Sequence, residues 1–283
     1  MPHLSTPSPR WPDWTAALRR VLYSAARYRE TTPKNPDRAI HLFRTRIKEA
    51  RALLRLAPRS LRKEAKNCRN DLARASRALS NARDSVVTAE TLRALVRKSH
   101  KTNPATLLPE LRGGTTESKD QDRTLLQLAS SAADHARTRI SAWPEPSEFP
   151  DILASLATRA LRRARKSVPY NFRKATPEAM HDLRKAVIIC RYQSAFMNED
   201  NRGHIPFKLL ELEKLRKKLG QFNDLHQLET ELNRFAHGCH LGKVAWLKDA
   251  IRRRKKRVGK ASLHLARRAL GSPRKHTGET DRN

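Results

Sequence analysis

The sequence has 283 residues, with 60 lysines and arginines against 28 aspartates and glutamates, and its formal net charge is +32. Aromatic residues make up only 5%, too few for a protein that works mainly by stacking bases on aromatic side chains. A hydrophobic content of 38% supports a core only if the secondary-structure elements are strongly amphipathic. The composition therefore predicts a folded, basic protein that holds a polyanion by charge.

Cysteine usage and the amino-terminal sequence indicate the compartment. The three cysteines, Cys68, Cys190 and Cys239, are far apart, which excludes a disulfide framework and a CxxC metal site. The first residues, MPHLSTPSPRWPDW, contain four prolines and no apolar segment of signal-peptide length, and no uncharged run approaches the ~18 residues of a membrane span. We therefore expect a cytoplasmic protein in a reducing environment, without a membrane partner.

The distribution of prolines predicts where helices lie. No run alternates β-branched and polar residues, whereas apolar residues recur at three and four spacing, as in Leu18, Leu22 and Ala25, so the predicted fold class is all-α. Helices are expected in the long intervals without proline, which are 13–32, 37–57, 59–103, 110–143, 151–168, 178–205 and 207–272.

Proline-rich and polar segments predict the domain organisation. Residues 1–12 form a proline-rich tail, 13–142 a first helical-bundle half, 143–150 a linker, 151–270 a second helical-bundle half, and 271–283 a flexible tail. The polar segment 104–122 is a second candidate linker, inside the first half.

Two motifs recur at one constant offset. AIHLFRTRIKEAR, which starts at Ala39, resembles AMHDLRKAVIICR, which starts at Ala179; RALSNARD, which ends at Asp84, resembles KKLGQFND, which ends at Asp224. Both pairs lie 140 residues apart. A shared offset predicts a tandem repeat of two homologous halves, each of about four helices. Two four-helix bundles related by a pseudo-twofold axis are the natural packing of such halves.

The first repeated motif predicts a helix with a basic side. On a helical wheel, four bases fall within about 80° of arc together with His41; they are Arg44, Lys48, Arg51 and Arg55. The apolar residues Phe43, Ile47, Ala50 and Leu54 lie opposite, and Arg46 points elsewhere. The predicted basic ridge is roughly 21 Å long at 1.5 Å per residue.

The second motif repeats this design less completely. Its stripe contains His181, Arg184, Lys185, Arg191 and Tyr192, but Ile188 stands where the first half has Lys48. Further candidate binding residues are Arg19 and Arg20, Arg159 and Arg163, and Lys214, Lys217 and Lys218.

A solvated face is the ordinary explanation of a charged helix side. Such a face normally intersperses Glu at three or four spacing to relieve repulsion between like charges, and these stripes are expected to omit it. A surface this repulsive costs stability unless an anionic partner neutralises it. Binding is therefore the favoured interpretation.

Metal and catalytic sites have weaker signals. His41 and His181 each lack a second His or Cys at three or four spacing, so a phosphate-facing role fits better than metal ligation. The HGCH segment with His237, Cys239 and His240 also lacks a partner pair at zinc spacing. Asp84 and Asp224 are either an acid and base pair or buried carboxylates that orient Arg44 and Arg184. We expect no metal, no cofactor, no catalytic residue and no enzyme activity.

The HxxR(x)6R motifs, the basic stripes and the duplicated helical organisation resemble the CHAD family, the conserved histidine α-helical domain, over about residues 13–270. That resemblance implies two helical bundles around a basic channel, binding of inorganic polyphosphate and association with polyphosphate granules. It implies that the two stripes carry the ligand, through His41, Arg44, Lys48, Arg51, Arg55, His181, Arg184, Lys185 and Arg191. Asn223 stands where the first half has Arg83, so the second half departs from the pattern there as well as at Ile188.

One function of another class fits the same composition. A net charge of +32 retains DNA or RNA nonspecifically at low salt, so a nonspecific nucleic-acid-binding protein is the alternative. An enzyme is disfavoured, because no glycine-rich phosphate cradle, two-metal carboxylate cluster or nucleophile signature is present.

Overall fold

The computed structural model describes residues 13–31, 36–97, 119–144, 149–172, 175–198, 208–235 and 241–271. Their regular structure is entirely helical, which confirms the predicted all-α class. In chain order the elements are α1 Trp14–Ala26, α2 Tyr28–Thr31, α3 Pro36–Leu53, a 3-10 turn Leu54–Leu56, α4 Arg62–Ala78, α5 Ser80–Val96, α6 Lys119–Ser141, α7 Phe149–Lys166, α8 Pro177–Asn198, α9 Leu209–Phe235 and α10 Leu241–Leu270. Within this part of the chain, none of the helices combines the length and apolarity needed to cross a membrane.

Prolines mark helix starts as well as linkers. Pro36 and Pro177 are the first residues of α3 and α8, and Pro150 is the second residue of α7. The first turn of a helix has no intrahelical use for the N–H group that proline lacks. For this reason α7 begins inside the segment 143–150 that the sequence suggests is a linker. Helix α6 also begins inside a predicted linker, 104–122, but at Lys119 and without a proline in its first turn.

The chain divides into two compact units. The first comprises Met1–Ala157 and Arg191–Phe207, and the second comprises Thr158–Cys190 and Lys208–Asn283. Both boundaries that the structure describes fall inside helices, one in α7 and one in α8. The domain limits inferred from composition stay a prediction.

The core of the first unit forms between α1, α3, α4 and α6, which pack against one another. Fully buried side chains include Leu18 and Leu22 of α1, Phe43 and Ile47 of α3, and Leu126 of α6. The three and four spacing of these residues gives each helix one apolar side. The amphipathic pattern in the sequence therefore places the core on the side opposite the charged residues.

Helix α1 begins at a capped end. The carboxylate of Asp13 accepts a hydrogen bond from the Ala16 N–H at 2.9 Å and another from the Thr15 hydroxyl at 2.8 Å. Burial alone would raise the pKa of Asp13, but these hydrogen bonds outweigh it and the pKa is lowered. Such a cap stabilises the helix start, because the first N–H groups have no intrahelical acceptor.

The second unit is organised by the long helices α9 and α10, which pack along each other. Leu212, Leu215 and Leu219 of α9 and Ile251 and Val258 of α10 are buried. Helix α10 ends where Gly271 adopts a left-handed conformation with φ of 84°, and the Gly271 N–H donates to the Arg267 carbonyl at 2.9 Å. A residue with a Cβ would be strained in this closing turn.

The described cysteines are structural. Cys68 and Cys190 are buried and neither forms a disulfide. Burial raises the pKa of the Cys68 thiol, which makes it a poor nucleophile. Cys239 lies outside the described residues.

We predict that Trp14→Ala lowers the free energy of unfolding by about 3–5 kcal/mol. Trp14 is 2% exposed, its Nε1 donates to the Leu53 carbonyl at 2.9 Å, and its ring stacks on Trp143 with centroids 5.7 Å apart. Urea unfolding followed by circular dichroism measures the loss. The control is Leu128→Ala, because Leu128 is 65% exposed and its removal should change the free energy by less than about 0.5 kcal/mol. Equal losses in both variants would contradict the prediction.

Candidate functional site

The basic side of α3 lies opposite its buried side. Phe43, Ile47, Ala50 and Leu54 are buried, as the helical wheel predicts. We call the opposite set the α3 stripe: His41 and Arg55 are exposed, and Arg44, Lys48 and Arg51 are half-buried. Because α3 ends at Leu53, Arg55 belongs to the 3-10 turn rather than to the helix itself. The stripe thus continues past the end of α3.

Arg44 makes hydrogen bonds that stabilise the fold. Its Nη1 donates to the backbone carbonyls of Ser76 at 3.2 Å and Leu79 at 2.9 Å. These carbonyls lie where α4 ends and α5 begins. The last carbonyls of a helix have no intrahelical donor, and a cation at this end is favourable. Arg44 therefore joins α3 to the α4–α5 junction.

Three arginines converge between α3 and α4; we call Arg51, Arg69 and Arg77 the Arg51 cluster. Burial lowers the pKa of Arg51, and the charges of Arg69 and Arg77 lower it further. Burial also lowers the pKa of Arg69. The buried Nε of Arg51 has no hydrogen-bond acceptor among the described residues. Since an arginine side chain does not lose its proton in proteins, Arg51 keeps its positive charge beside those of Arg69 and Arg77 at neutral pH.

Several carboxylates of this unit pair with other arginines. Glu49 is 2.8 Å from Arg46, the base that points away from the stripe. The remaining pairs are Glu30 with Arg27, Asp71 with Arg74 and Arg139, Asp120 with Arg123, and Asp134 with Arg29 and Arg137. No carboxylate of the described residues forms an ion pair with the Arg51 cluster. Within the described part of the chain, no carboxylate therefore offsets the charge of the cluster.

Arg191 lies in the first unit, together with the α3 stripe. Its guanidinium is 4.7 Å from the centre of the Tyr192 ring. The Tyr192 hydroxyl donates to the Thr45 carbonyl at 3.3 Å, and the Gln193 amide donates to the Ala52 carbonyl at 2.8 Å. These bonds attach the carboxyl-terminal part of α8 to α3. The stripe predicted along α8 is therefore split between the two units, because Arg191 belongs to the first unit. The other bases of the stripe belong to the second unit; they are His181, Arg184 and Lys185.

Arg184 is the most enclosed basic residue of that second set. Burial lowers its pKa, the negative charge of Asp224 opposes this, and Arg216 adds to the lowering. The sequence predicts that Asp224 is either part of an acid and base pair or a carboxylate that orients Arg184. This arrangement supports the second interpretation, because the negative charge of Asp224 favours the charged form of the enclosed Arg184. The side chain of Asp84 lies outside the described part of the chain.

A pocket of about 370 Å³ opens between α8 and α9. His181 lines it, with Nδ1 3.2 Å from Oδ1 of Asn223. Asp182 and Glu178 also line it, and Lys185 lies 3.1 Å from Asp182. The expectation that both stripes omit acidic residues is therefore wrong for α8, because Asp182 lies three residues before Lys185. The pocket therefore has a lining of mixed charge.

The other predicted binding residues lie on three further helices. Arg20, Arg159, Arg163 and Lys217 are exposed, and Arg19 is half-buried. Lys214 pairs with Glu211 at 3.5 Å, and Lys218 donates to Gln221 at 3.4 Å. Their role in binding stays a prediction.

Metal ligation finds no support in the described residues. Among them, no group of three or more His, Cys, Asp or Glu side chains is placed to hold a metal ion. His237, Cys239 and His240 of the HGCH segment lie outside the described residues.

Comparison with known proteins identifies the family. The family model described as the CHAD domain matches residues 14–233, well over half of the chain. The chain belongs to the CHAD family. CHAD domains are associated in general with polyphosphate binding. The comparisons with curated proteins and with solved structures give no match.

Two members of the Arg51 cluster were not among the predicted site residues of this CHAD domain. Arg69 and Arg77 lie outside the HxxR motif, and only their separation of eight residues, about 80° on a wheel, hinted that they share one side of α4. The sequence does not show that this side faces Arg51. Packing of α4 against α3 brings the three together.

We predict opposite effects on stability for two arginines of the α3 stripe. Arg44→Met removes the hydrogen bonds to Ser76 and Leu79 and should lower the free energy of unfolding by about 1.5–3 kcal/mol. Arg51→Met keeps an apolar stem but removes one charge from the crowded cluster, so stability should stay unchanged or rise. Urea unfolding without added anion measures both. A loss in Arg51→Met as large as that in Arg44→Met would show that Arg51 is structural.

Proposed function

We propose that this CHAD domain binds inorganic polyphosphate and that the Arg51 cluster is the centre of its site. The observation that carries the proposal is the convergence of Arg51, Arg69 and Arg77 with no ion pair to a described carboxylate. Holding three cations together opposes folding, because like charges repel. A bound polyanion would reverse this cost, which makes the cluster a binding site rather than a solvated surface.

The chemistry of the ligand matches these side chains. Polyphosphate is a flexible chain of anions without bases or grooves, so a receptor needs mainly donors matched to successive phosphates. Arginine offers a fork of N–H groups that forms charge-assisted hydrogen bonds to phosphate oxygens. Partial burial strengthens such bonds, because the local dielectric is lower than that of water.

The rest of the α3 stripe extends the site beyond the cluster. His41 and Lys48 lie along α3, and Arg55 follows in the 3-10 turn. Arg191, in the same unit, is a further candidate contact. We propose that these residues hold the neighbouring phosphates, and that His181, Arg184 and Lys185 make a weaker contribution.

In the cell, the proposed role is to attach the protein to polyphosphate granules, without turnover of the polymer. Incubation with the protein should therefore leave the polyphosphate length distribution unchanged on a gel, and shortened chains would contradict this. The pseudo-twofold relation of the two halves and a basic channel remain predictions of the sequence.

The test compares unpaired arginines with paired ones at equal net charge. Arg51→Gln/Arg69→Gln/Arg77→Gln should weaken polyphosphate binding at least about tenfold, since each charge-assisted hydrogen bond contributes about 1.5–3 kcal/mol. The matched control is Arg46→Gln/Arg123→Gln/Arg137→Gln, whose arginines already pair with Glu49, Asp120 and Asp134. Titration calorimetry measures both. Equal losses would show that only total charge matters.

Competition separates this function from nonspecific nucleic-acid binding. At physiological salt, excess duplex DNA should not displace polyphosphate from the wild-type protein, because nonspecific DNA binding is typically no tighter than about 10⁻⁶ M there. Displacement of labelled polyphosphate by DNA as effectively as by unlabelled polyphosphate would favour the nucleic-acid alternative.

A further inference from the structure

Helix α10 contributes a larger share of the positive charge than its length would suggest. Its 30 residues contain eleven lysines and arginines and one aspartate, which gives ten of the net 32 positive charges of the chain. Helix α6, by contrast, contains four lysines and arginines and three aspartates. The CHAD match ends at residue 233, before α10 begins. The charge of α10 is therefore not explained by the matched part of the domain.

The exposed bases of α10 share one side. With Arg253 as the origin of a helical wheel, the other members fall within about 120° of arc and are all exposed. We call this set the α10 stripe: Arg253, Lys256, Arg257, Lys260, His264, Arg267 and Arg268. It spans about 22 Å at 1.5 Å per residue.

Acidic neighbours and a carbonyl occupy the ends of the stripe. Arg253 pairs with Asp249, Arg268 lies 3.2 Å from Glu211, and Arg267 donates to the Tyr170 carbonyl at 2.7 Å. The central three bases, Lys256, Arg257 and Lys260, form no ion pair with any residue that the structure describes. The middle of the stripe is thus a row of uncompensated cations.

The opposite side of α10 is fixed to the rest of its unit. Leu247, Ile251 and Val258 are buried, and at Gly259 the backbone approaches Phe172 so closely that an added Cβ would be 2.3 Å from its ring. The stripe therefore lies on a helix whose other side is packed in place. Because the apolar side is already covered, the part of α10 whose side chains the structure describes has no free apolar face to insert into a lipid surface.

We propose that the α10 stripe binds the phosphate backbone of duplex nucleic acid without reading its sequence. A duplex is stiff over about 150 base pairs, so it meets a straight ridge without losing conformational freedom, whereas a flexible polyphosphate chain would have to be straightened. The stripe matches the length of about six base pairs at 3.4 Å each. It contains no phenylalanine, tyrosine or tryptophan, which disfavours single strands held by base stacking.

The experiment uses the full chain and a fluorescent duplex of about 20 base pairs, titrated from about 0.05 to 0.2 M NaCl. The variant is Lys256→Gln/Arg257→Gln/Lys260→Gln. The control is Arg62→Gln/Lys63→Gln/Lys66→Gln, three exposed bases of α4, which removes the same charge. We expect the stripe variant to lose at least about tenfold in duplex affinity at 0.1 M NaCl. The slope of the logarithm of its binding constant against the logarithm of the salt concentration should flatten by about 2.7, which is about 0.9 for each of the three lost phosphate contacts. The control should keep the wild-type slope.

Equal losses of duplex affinity in the variant and the control would overturn the proposal, because only total charge would then matter. Unchanged duplex affinity in both proteins would overturn it as well. Polyphosphate binding, measured in parallel, should survive in the stripe variant. A loss of binding to polyphosphate, or to vesicles containing phosphatidylserine, with duplex binding intact would assign the stripe to that partner instead. The Arg51→Gln/Arg69→Gln/Arg77→Gln protein should still bind duplex, which separates this result from failure of the proposed polyphosphate site.

Discussion

Repulsion between like charges on α3 and α4 is balanced by apolar packing on the other side of the same helices. Phe43 and Ile47 anchor α3 in the core, and this fixes the direction in which Arg51 points. Arg69 and Arg77 then face it from α4. The core thus provides the stability that lets three cations stay together without an ion pair to any described carboxylate, and binding of an anion would recover the electrostatic cost.

The placement of the acidic residues gives the two units different electrostatic characters. In the first unit, Asp71 and Asp134 pair with arginines outside the Arg51 cluster. In the second, Asp224 balances Arg184, and Asp182 pairs with Lys185. Repetition of the HxxR motif therefore does not produce two equal sites. The distribution of carboxylates, rather than the number of bases, sets the difference in local charge between the two units.

Features of the fold that depend on local sequence could be predicted, and those that depend on tertiary packing could not. Apolar periodicity is sufficient to predict helices and the buried side of α3, because each helix needs one apolar face. It does not predict the break at Leu79, where neither proline nor glycine interrupts the helix and Arg44 donates to the Leu79 carbonyl. Nor does it place Arg191 beside α3, since that depends on the contacts of Tyr192 and Gln193.

The most direct test of this account is the free energy of unfolding of the full chain against NaCl concentration, without phosphate. Salt shortens the Debye length from about 30 Å at 0.01 M to about 10 Å at 0.1 M and so weakens repulsion between partly exposed charges. The account predicts that the free energy of unfolding rises over this range, and rises less when Arg51, Arg69 and Arg77 are replaced by glutamine. A free energy that stays constant or falls in the wild-type protein would mean that the folded chain already balances these charges, which would contradict the account.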